Sequence, residues 1–203
     1  MRTEHAPKVG LRLVHTVFFV SGMCALLFQL VWLRLLLLTY GAGPHATTAI
    51  VGALMVGLGL GSLAGGEVAR RFPDRILLLF AAAEAGVGLY GLVSMPLIAV
   101  VGSATAGIDA FSAGVVCFSM LVVPTMLMGA TLPLMVTHVV KEQHDVGHAV
   151  GDLYHVNRLG GALVCILASF FLFRFFGLSG VVYIAAAGNF GVAVMIFVLG
   201  RQR

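Results

Sequence analysis

The sequence predicts an all-α fold, a polytopic membrane bundle of six transmembrane helices, and three observations lead to it. Of the 203 residues, 60% are hydrophobic and only 10% charged, with a mean hydropathy of +1.07. Soluble domains carry about a quarter charged residues, so too little polar surface remains here to cover a water-soluble globule. Apolar runs such as Leu11 to Tyr40 are continuous and lack the alternation of a closed β-barrel, the other structure that satisfies its own backbone hydrogen bonds in lipid. Finally, Lys and Arg gather in short clusters between the runs, as they do at the ends of membrane helices.

A span requires about 20 apolar residues at about 1.5 Å of rise each. Six windows meet that length, at 13–40, 46–69, 76–101, 110–140, 149–173 and 178–200. The breaks between them fall at Gly41 to Pro44, Arg70 to Arg75 with Pro73, Gly102 to Gly107, Lys141 to His148, and Phe176 to Gly180, all rich in turn formers or charge. The first run is long enough to span and has no small-residue cleavage site after it, so it is expected to stay as the first helix. Residues 1–203 thus read as a single transmembrane domain.

Orientation follows from the cations. With the amino terminus in the cytoplasm, that side receives Arg2, Lys8, Arg12, Arg70, Arg71, Arg75, Lys141, Arg201 and Arg203, with Arg158 just inside the fifth window, and the opposite side only Arg34 and Arg174. The positive-inside rule then places both termini in the cytoplasm and the chain in an inner or plasma membrane. The net charge of +4 has this topological meaning, and no nucleic-acid partner is expected. The three cysteines, Cys24, Cys117 and Cys165, lie singly in apolar runs and read as small buried hydrophobes.

Packing signals are concentrated in small residues. In the second window Ala53, Gly57, Gly61 and Gly65 recur every fourth position and make one smooth helix face for close backbone approach. The same logic applies to Gly160, Gly161 and Ala168, and to Ala187, Gly188 and Gly191. Such faces serve packing within one bundle, or a face that slides or dimerises. In the fourth window Pro124 and Pro133 flank Gly129; each proline removes a backbone hydrogen bond, so a kink or local unwinding is expected there.

Ionisable and polar groups at membrane depth are the functional candidates. Glu84 lies about nine residues, or roughly 13 Å, inward from the cytoplasmic start of the third window. Thr131, Asn157 and Arg158 reach comparable depth, with Tyr154 one turn shallower. These five form the predicted polar cluster, open toward the cytoplasm, in which Glu84 and Arg158 can neutralise each other; the alternative is a buried knot that only sets helix register. Gln29 and Asn189 are expected as interhelical hydrogen-bond formers. Trp32 with Arg34 reads as an interfacial anchor beside a snorkelling cation. Of the seven histidines, His144 and His148 share a face with Asp152, but without a metal or haem motif no metal site and no cofactor is expected.

Several runs taken together resemble the membrane portion of spermidine synthase-like membrane proteins. They are Phe19-Val20-Ser21-Gly22, Gln29 to Leu36, the glycine face of the second window, Glu84 to Tyr90, Met128 to Leu134, and Gly151 to Asn157. The resemblance implies a bundle related to half of a major facilitator transporter, joined in the family to an aminopropyltransferase-like domain. Gln29 stands where the family often has an acidic residue, and Arg158 where a small polar one is usual. No strand-turn-helix glycine motif or catalytic acidic loop occurs in these residues, so aminopropyl transfer by this chain alone is not expected. The expected function is a non-catalytic membrane module that docks or feeds a partner, either a transferase or another membrane subunit. The alternative is a half-transporter acting as a homodimer on a cationic or polyamine-like substrate.

Overall fold

A computed structural model describes residues 10–41, 44–143 and 145–201, with the side chains of residues 44–46 and 142–143 excepted. Among these residues the chain is helical and has no strand: α1 Leu11–Tyr40, α2 Pro44–Arg71, a short 3-10 turn Pro73–Arg75, α3 Ile76–Ala104, α4 Ala110–Gln143, α5 Val146–Leu167, a π-helical turn Ala168–Leu172, and α6 Phe173–Arg201. Five continuous stretches are long and apolar enough to cross a membrane: Leu11–Tyr40, Thr47–Arg71, Pro73–Ala104, Ala110–Lys141 and Val146–Arg201. Large apolar side chains point outward from them, Leu63 at 75% and Phe111 at 81% exposure among them, which suits a lipid exterior and not an aqueous one.

The last stretch departs from the expectation of separate fifth and sixth windows, because no loop divides it. As one straight rod its 56 residues would run about 84 Å, against a hydrocarbon core of about 30 Å. The chain instead turns at Gly177, whose φ of 63° and ψ of −173° belong to a backbone region essentially open only to glycine. The consequence is visible at α1. A Cβ on Gly160 would strike the Phe19 carbonyl, one on Gly161 would press on Leu26, and one on Gly188 would strike Cys24 Sγ. Residues 160 and 188 of an unbroken helix would sit about 42 Å apart, so α5 and α6 fold back to lie against the same part of α1.

The glycine face of α2 is covered by α4. Added Cβ atoms at Gly57, Gly61 and Gly65 would collide with Thr125, Met126 and Ala130, and one on Gly129 with the Leu58 carbonyl; Ala53 is buried on the same side. Backbones this close gain dispersion contacts that bulkier residues would forbid. In α6 only Gly188 makes such an approach, since Ala187 and Gly191 lie on the exposed side. Ala168 is fully buried at the start of the π turn.

Of the kink or local unwinding expected at Pro124 and Pro133, the unwinding is absent: α4 continues through both prolines without an unwound turn. The carbonyl that Pro124 leaves without its intrahelical donor belongs to Met120, four residues earlier. Tyr90 Oη of α3 donates to that carbonyl, so a neighbouring helix supplies the missing bond.

Contacts at the helix ends sort the chain into two poles. At one, Lys141 Nζ donates to the Pro73 carbonyl at 2.8 Å, and Arg70, Arg71, Arg75 and Arg201 lie at the ends of α2, the 3-10 turn and α6. At the other, Tyr40 and Thr105 hydroxyls meet at 2.8 Å and Arg34 lies 3.8 Å over the Phe173 ring. Trp32 is not an interfacial anchor: it is fully buried, stacked on Phe28 at 5.4 Å and edge-on to Tyr90 at 5.6 Å.

The interior is layered. One apolar cluster holds Val14, Phe18, Phe80, Met135, Leu153 and Ile196 near the basic pole, and another holds Phe28, Trp32, Leu36, Leu121, Val164 and Ala185 toward the other. Between them, at the level of Ser21, Glu84, Thr131, Asn157 and Asn189, the interior is polar.

Candidate functional site: a polar cavity between two apolar cores

Each helix that reaches the layer contributes a polar group by virtue of its depth. Glu84 sits in α3 between Phe80 and Val87, both buried, and is itself only 1% exposed. Ser21 of α1 donates to Glu84 Oε1 at 2.5 Å. Asn189 of α6, 2% exposed, donates through Nδ2 to the backbone carbonyl of Glu84 at 3.3 Å. That contact sets the amide orientation, since a carbonyl oxygen accepts only from the NH2 side. Glu84 Oε2 and Asn189 Oδ1 are thereby left buried without a donor.

These groups line a cavity of about 320 Å³. All five residues of the predicted cluster, Glu84, Thr131, Tyr154, Asn157 and Arg158, are in its wall, as are Gln29 and Asn189. They are not equivalent. Thr131 Oγ1 is buried and satisfied by the Met128 carbonyl at 2.7 Å, and Asn157 Nδ2 reaches the Phe18 carbonyl at 3.2 Å. Gln29 Nε2 makes a long contact of 3.9 Å with Met128 Sδ. The floor therefore presents acceptors, and the inward amide and hydroxyl donors are largely spent.

Arg158 does not neutralise Glu84. No ion pair joins them; the guanidinium lies 4.9 Å over the Tyr154 ring, and both residues are exposed at the mouth. An exposed guanidinium packed on an aromatic ring is the arrangement of a cation that snorkels from apolar surroundings. A negative charge on Glu84 would face one hydroxyl donor and no cation. The site is thus incomplete: burying a carboxylate is costly unless a donor or counter-charge reaches it.

Residues missed from the sequence are Ser21, Gly22 and Ser62, which also line the cavity. Gly22 is required by close approach, because a Cβ there would run into the Asn157 backbone carbonyl. Counting inward from the basic pole would have found Ser21, nine positions beyond Arg12, at the same depth as Glu84 nine positions beyond Arg75. Among the described residues no group of three His, Cys, Asp or Glu side chains is placed to hold a metal. Asp145 caps α5 by accepting from the His148 backbone N–H, with the His148 ring against its other oxygen, and His144 lies outside the described residues.

Comparison with known proteins gives two related sequences, both from Streptomyces coelicolor. The chain is 24% identical to polyamine aminopropyltransferase 1 over 202 residues, covering 98% of this chain and 36% of that protein. It is 29% identical to polyamine aminopropyltransferase 2 over 177 residues, covering 84% of this chain and 31% of that protein. The chain therefore spans about a third of the length of the curated relatives it matches. No protein-family model matches the chain, and no solved structure matches it. The chain is a distant relative of part of these aminopropyltransferases, which fits the resemblance to spermidine synthase-like proteins seen in the residues.

Proposed function

We propose that this chain is a non-catalytic, multi-pass membrane module that holds an amine in its central cavity and docks on or feeds a transferase-like partner. The observation that carries the reading is the pair of buried acceptors, Glu84 Oε2 and Asn189 Oδ1, with no donor in a cavity large enough for a small guest. An ammonium group brings three N–H donors and one positive charge, which is what a lone buried carboxyl and an open amide oxygen require. A volume of about 320 Å³ is at the small end of ligand pockets and suits a slender aliphatic amine. The names of the two Streptomyces relatives support the same substrate class.

In this reading the chain crosses the bilayer six times, with the turn at Gly177 separating the fifth and sixth crossings, in an arrangement like half of a major facilitator bundle. The basic pole is cytoplasmic and both termini lie on that side. Supporting this, Arg70, Arg71, Arg75, Lys141 and Arg201 share one pole, while Arg34 and the start of α6 share the other.

The alternative, a homodimeric half-transporter for a cationic substrate, draws on one feature. Gly52, Gly59 and Gly66 of α2 have no neighbour, and Met55, Leu60 and Leu63 are exposed beside them; Gly59 also lines the cavity. A second copy covering that face would close the cavity laterally, and a homodimer in mild detergent that moves labelled spermidine into liposomes would favour this reading.

The direct test is thermal unfolding of the detergent-solubilised protein with and without spermidine. Ligand at about 100 times its dissociation constant adds about 2.7 kcal/mol, and Glu84→Gln abolishes that gain while keeping helix content. An equal shift in the Gln variant, or none in the unmodified protein, overturns the amine reading.

A further inference from the structure

The basic pole carries a second cavity, of about 560 Å³, enclosed by the 3-10 turn, the start of α3 and the ends of α4 and α6. It shares no lining residue with the central cavity, and the apolar cluster around Phe80, Met135 and Ile196 lies between the two levels. Three cations line it, Arg75, Lys141 and Arg201, against one acid, Asp74. Its other walls are apolar apart from the buried His138, with Leu77 and Ile196 buried, and Leu78 and Phe197 opening to the lipid-facing exterior.

The cations at this pole divide by position. Arg70 and Arg71, outside the cavity, are both paired with Glu67. Among the described residues Arg75 and Arg201, inside it, are in no ion pair, and Arg201 is oriented by the Phe197 ring at 4.4 Å. Lys141 commits one of its three donors to the Pro73 carbonyl, which holds the turn as the rim and leaves two N–H groups. Basic pockets between membrane helices on the cytoplasmic side are suited to phosphate headgroups, with each nearby Lys or Arg contributing about five-fold in affinity.

We propose that this second cavity binds a phosphate group bearing an apolar arm, with the phosphate between Arg75, Lys141 and Arg201 and the arm along Leu78 and Phe197. An anionic phospholipid headgroup and a soluble phosphate compound share that chemistry. The site rests on its own residues and stands or falls separately from the amine reading.

The test measures retention of phosphatidylglycerol against phosphatidylcholine by native mass spectrometry of the full chain, with thermal unfolding in mixed micelles as a second readout. Retention of phosphatidylglycerol is expected to fall roughly 25-fold in the R75Q/R201Q double variant and to stay unchanged in R71Q, which removes a cation at the same pole outside the cavity. Far-UV circular dichroism establishes that the double variant is folded. If inorganic phosphate alone stabilises the protein and displaces the lipid, a soluble phosphate is the occupant; if it does neither, the lipid is. Equal loss in R71Q and the double variant shows generic surface charge and overturns the site, as does a double variant that retains lipid like the unmodified protein.

Discussion

The α2–α4 seam and the polar layer beside it lie at overlapping depth, yet they use opposite devices. Along the seam, Gly57, Gly61, Gly65 and Gly129 bring backbones together until no room is left, and Thr125 turns its hydroxyl back to the Leu121 carbonyl at 2.6 Å. In the layer, side chains that are just as buried stand around an open volume, and Glu84 and Asn189 each keep an acceptor free. The comparison teaches that in lipid the small residue closes space and the polar residue earns its place only where space is kept. Polarity alone does not mark the site; unpartnered acceptors around an open volume do.

Breaking the seam has the largest expected effect. Gly61→Leu drives a side chain into the Met126 backbone and is expected to cost about 4 kcal/mol or more, the extreme end of overpacking; loss of a folded, monodisperse species in detergent is the readout, and a normally folded variant would show that the seam can separate. The layer should yield less. Ser21→Ala removes the donor to Glu84 Oε1 and is expected to destabilise by about 1–3 kcal/mol, with the deficit shrinking when spermidine is added, since the ligand then supplies the missing donors. A deficit unchanged by saturating amine would mean that Oε1 and the guest never meet.

A smaller effect tests whether neighbours repair α4. Tyr90→Phe removes the donor to the Met120 carbonyl and should cost about 0.6–1 kcal/mol in thermal unfolding. Restoring the intrahelical donor with Pro124→Ala should reduce that cost, and additive effects in the double-mutant cycle would separate the two. The least effect is expected just before the last apolar stretch, at Asp145. The backbone and ring of His148 hydrogen-bond Asp145, which holds its carboxyl below the usual value. A depressed folded pKa stabilises above the unfolded value and the gain is lost as pH falls. Asp145→Ala should therefore lower the melting temperature slightly at pH 7, with the difference shrinking only as pH falls from about 4 through the lowered folded value.

How much of this was legible in the residues follows depth. Helix positions were readable because a span requires about 20 apolar residues, and the break at Gly41 because glycine is the residue that tolerates the positive φ found there; the break expected at Phe176 to Gly180 is a turn inside one continuous helical stretch and not a loop. Counting inward from the basic clusters gave Glu84, Thr131, Asn157 and Arg158 a comparable depth and put Tyr154 one turn shallower; all five are among the residues that line the cavity. Counting does not give rotation about a helix axis, however. Arg158 was at the right depth to meet Glu84 but turns to the Tyr154 ring, and Trp32 was near the right end to anchor at the interface but faces the core.

What the sequence by itself determined is hydropathy and the axial coordinate: helices long and apolar enough to cross a bilayer, cations gathered at one pole, and polar groups at a common level, since hydropathy, charge and rise per residue are all one-dimensional. Only the tertiary structure decided which of those groups face one another, that α4 covers the glycine face of α2, and that two buried acceptors lack donors. Azimuth and partnership depend on how helices rotate and pack side by side, and the near-uniform apolar surroundings of a membrane helix leave little trace of that rotation along the chain.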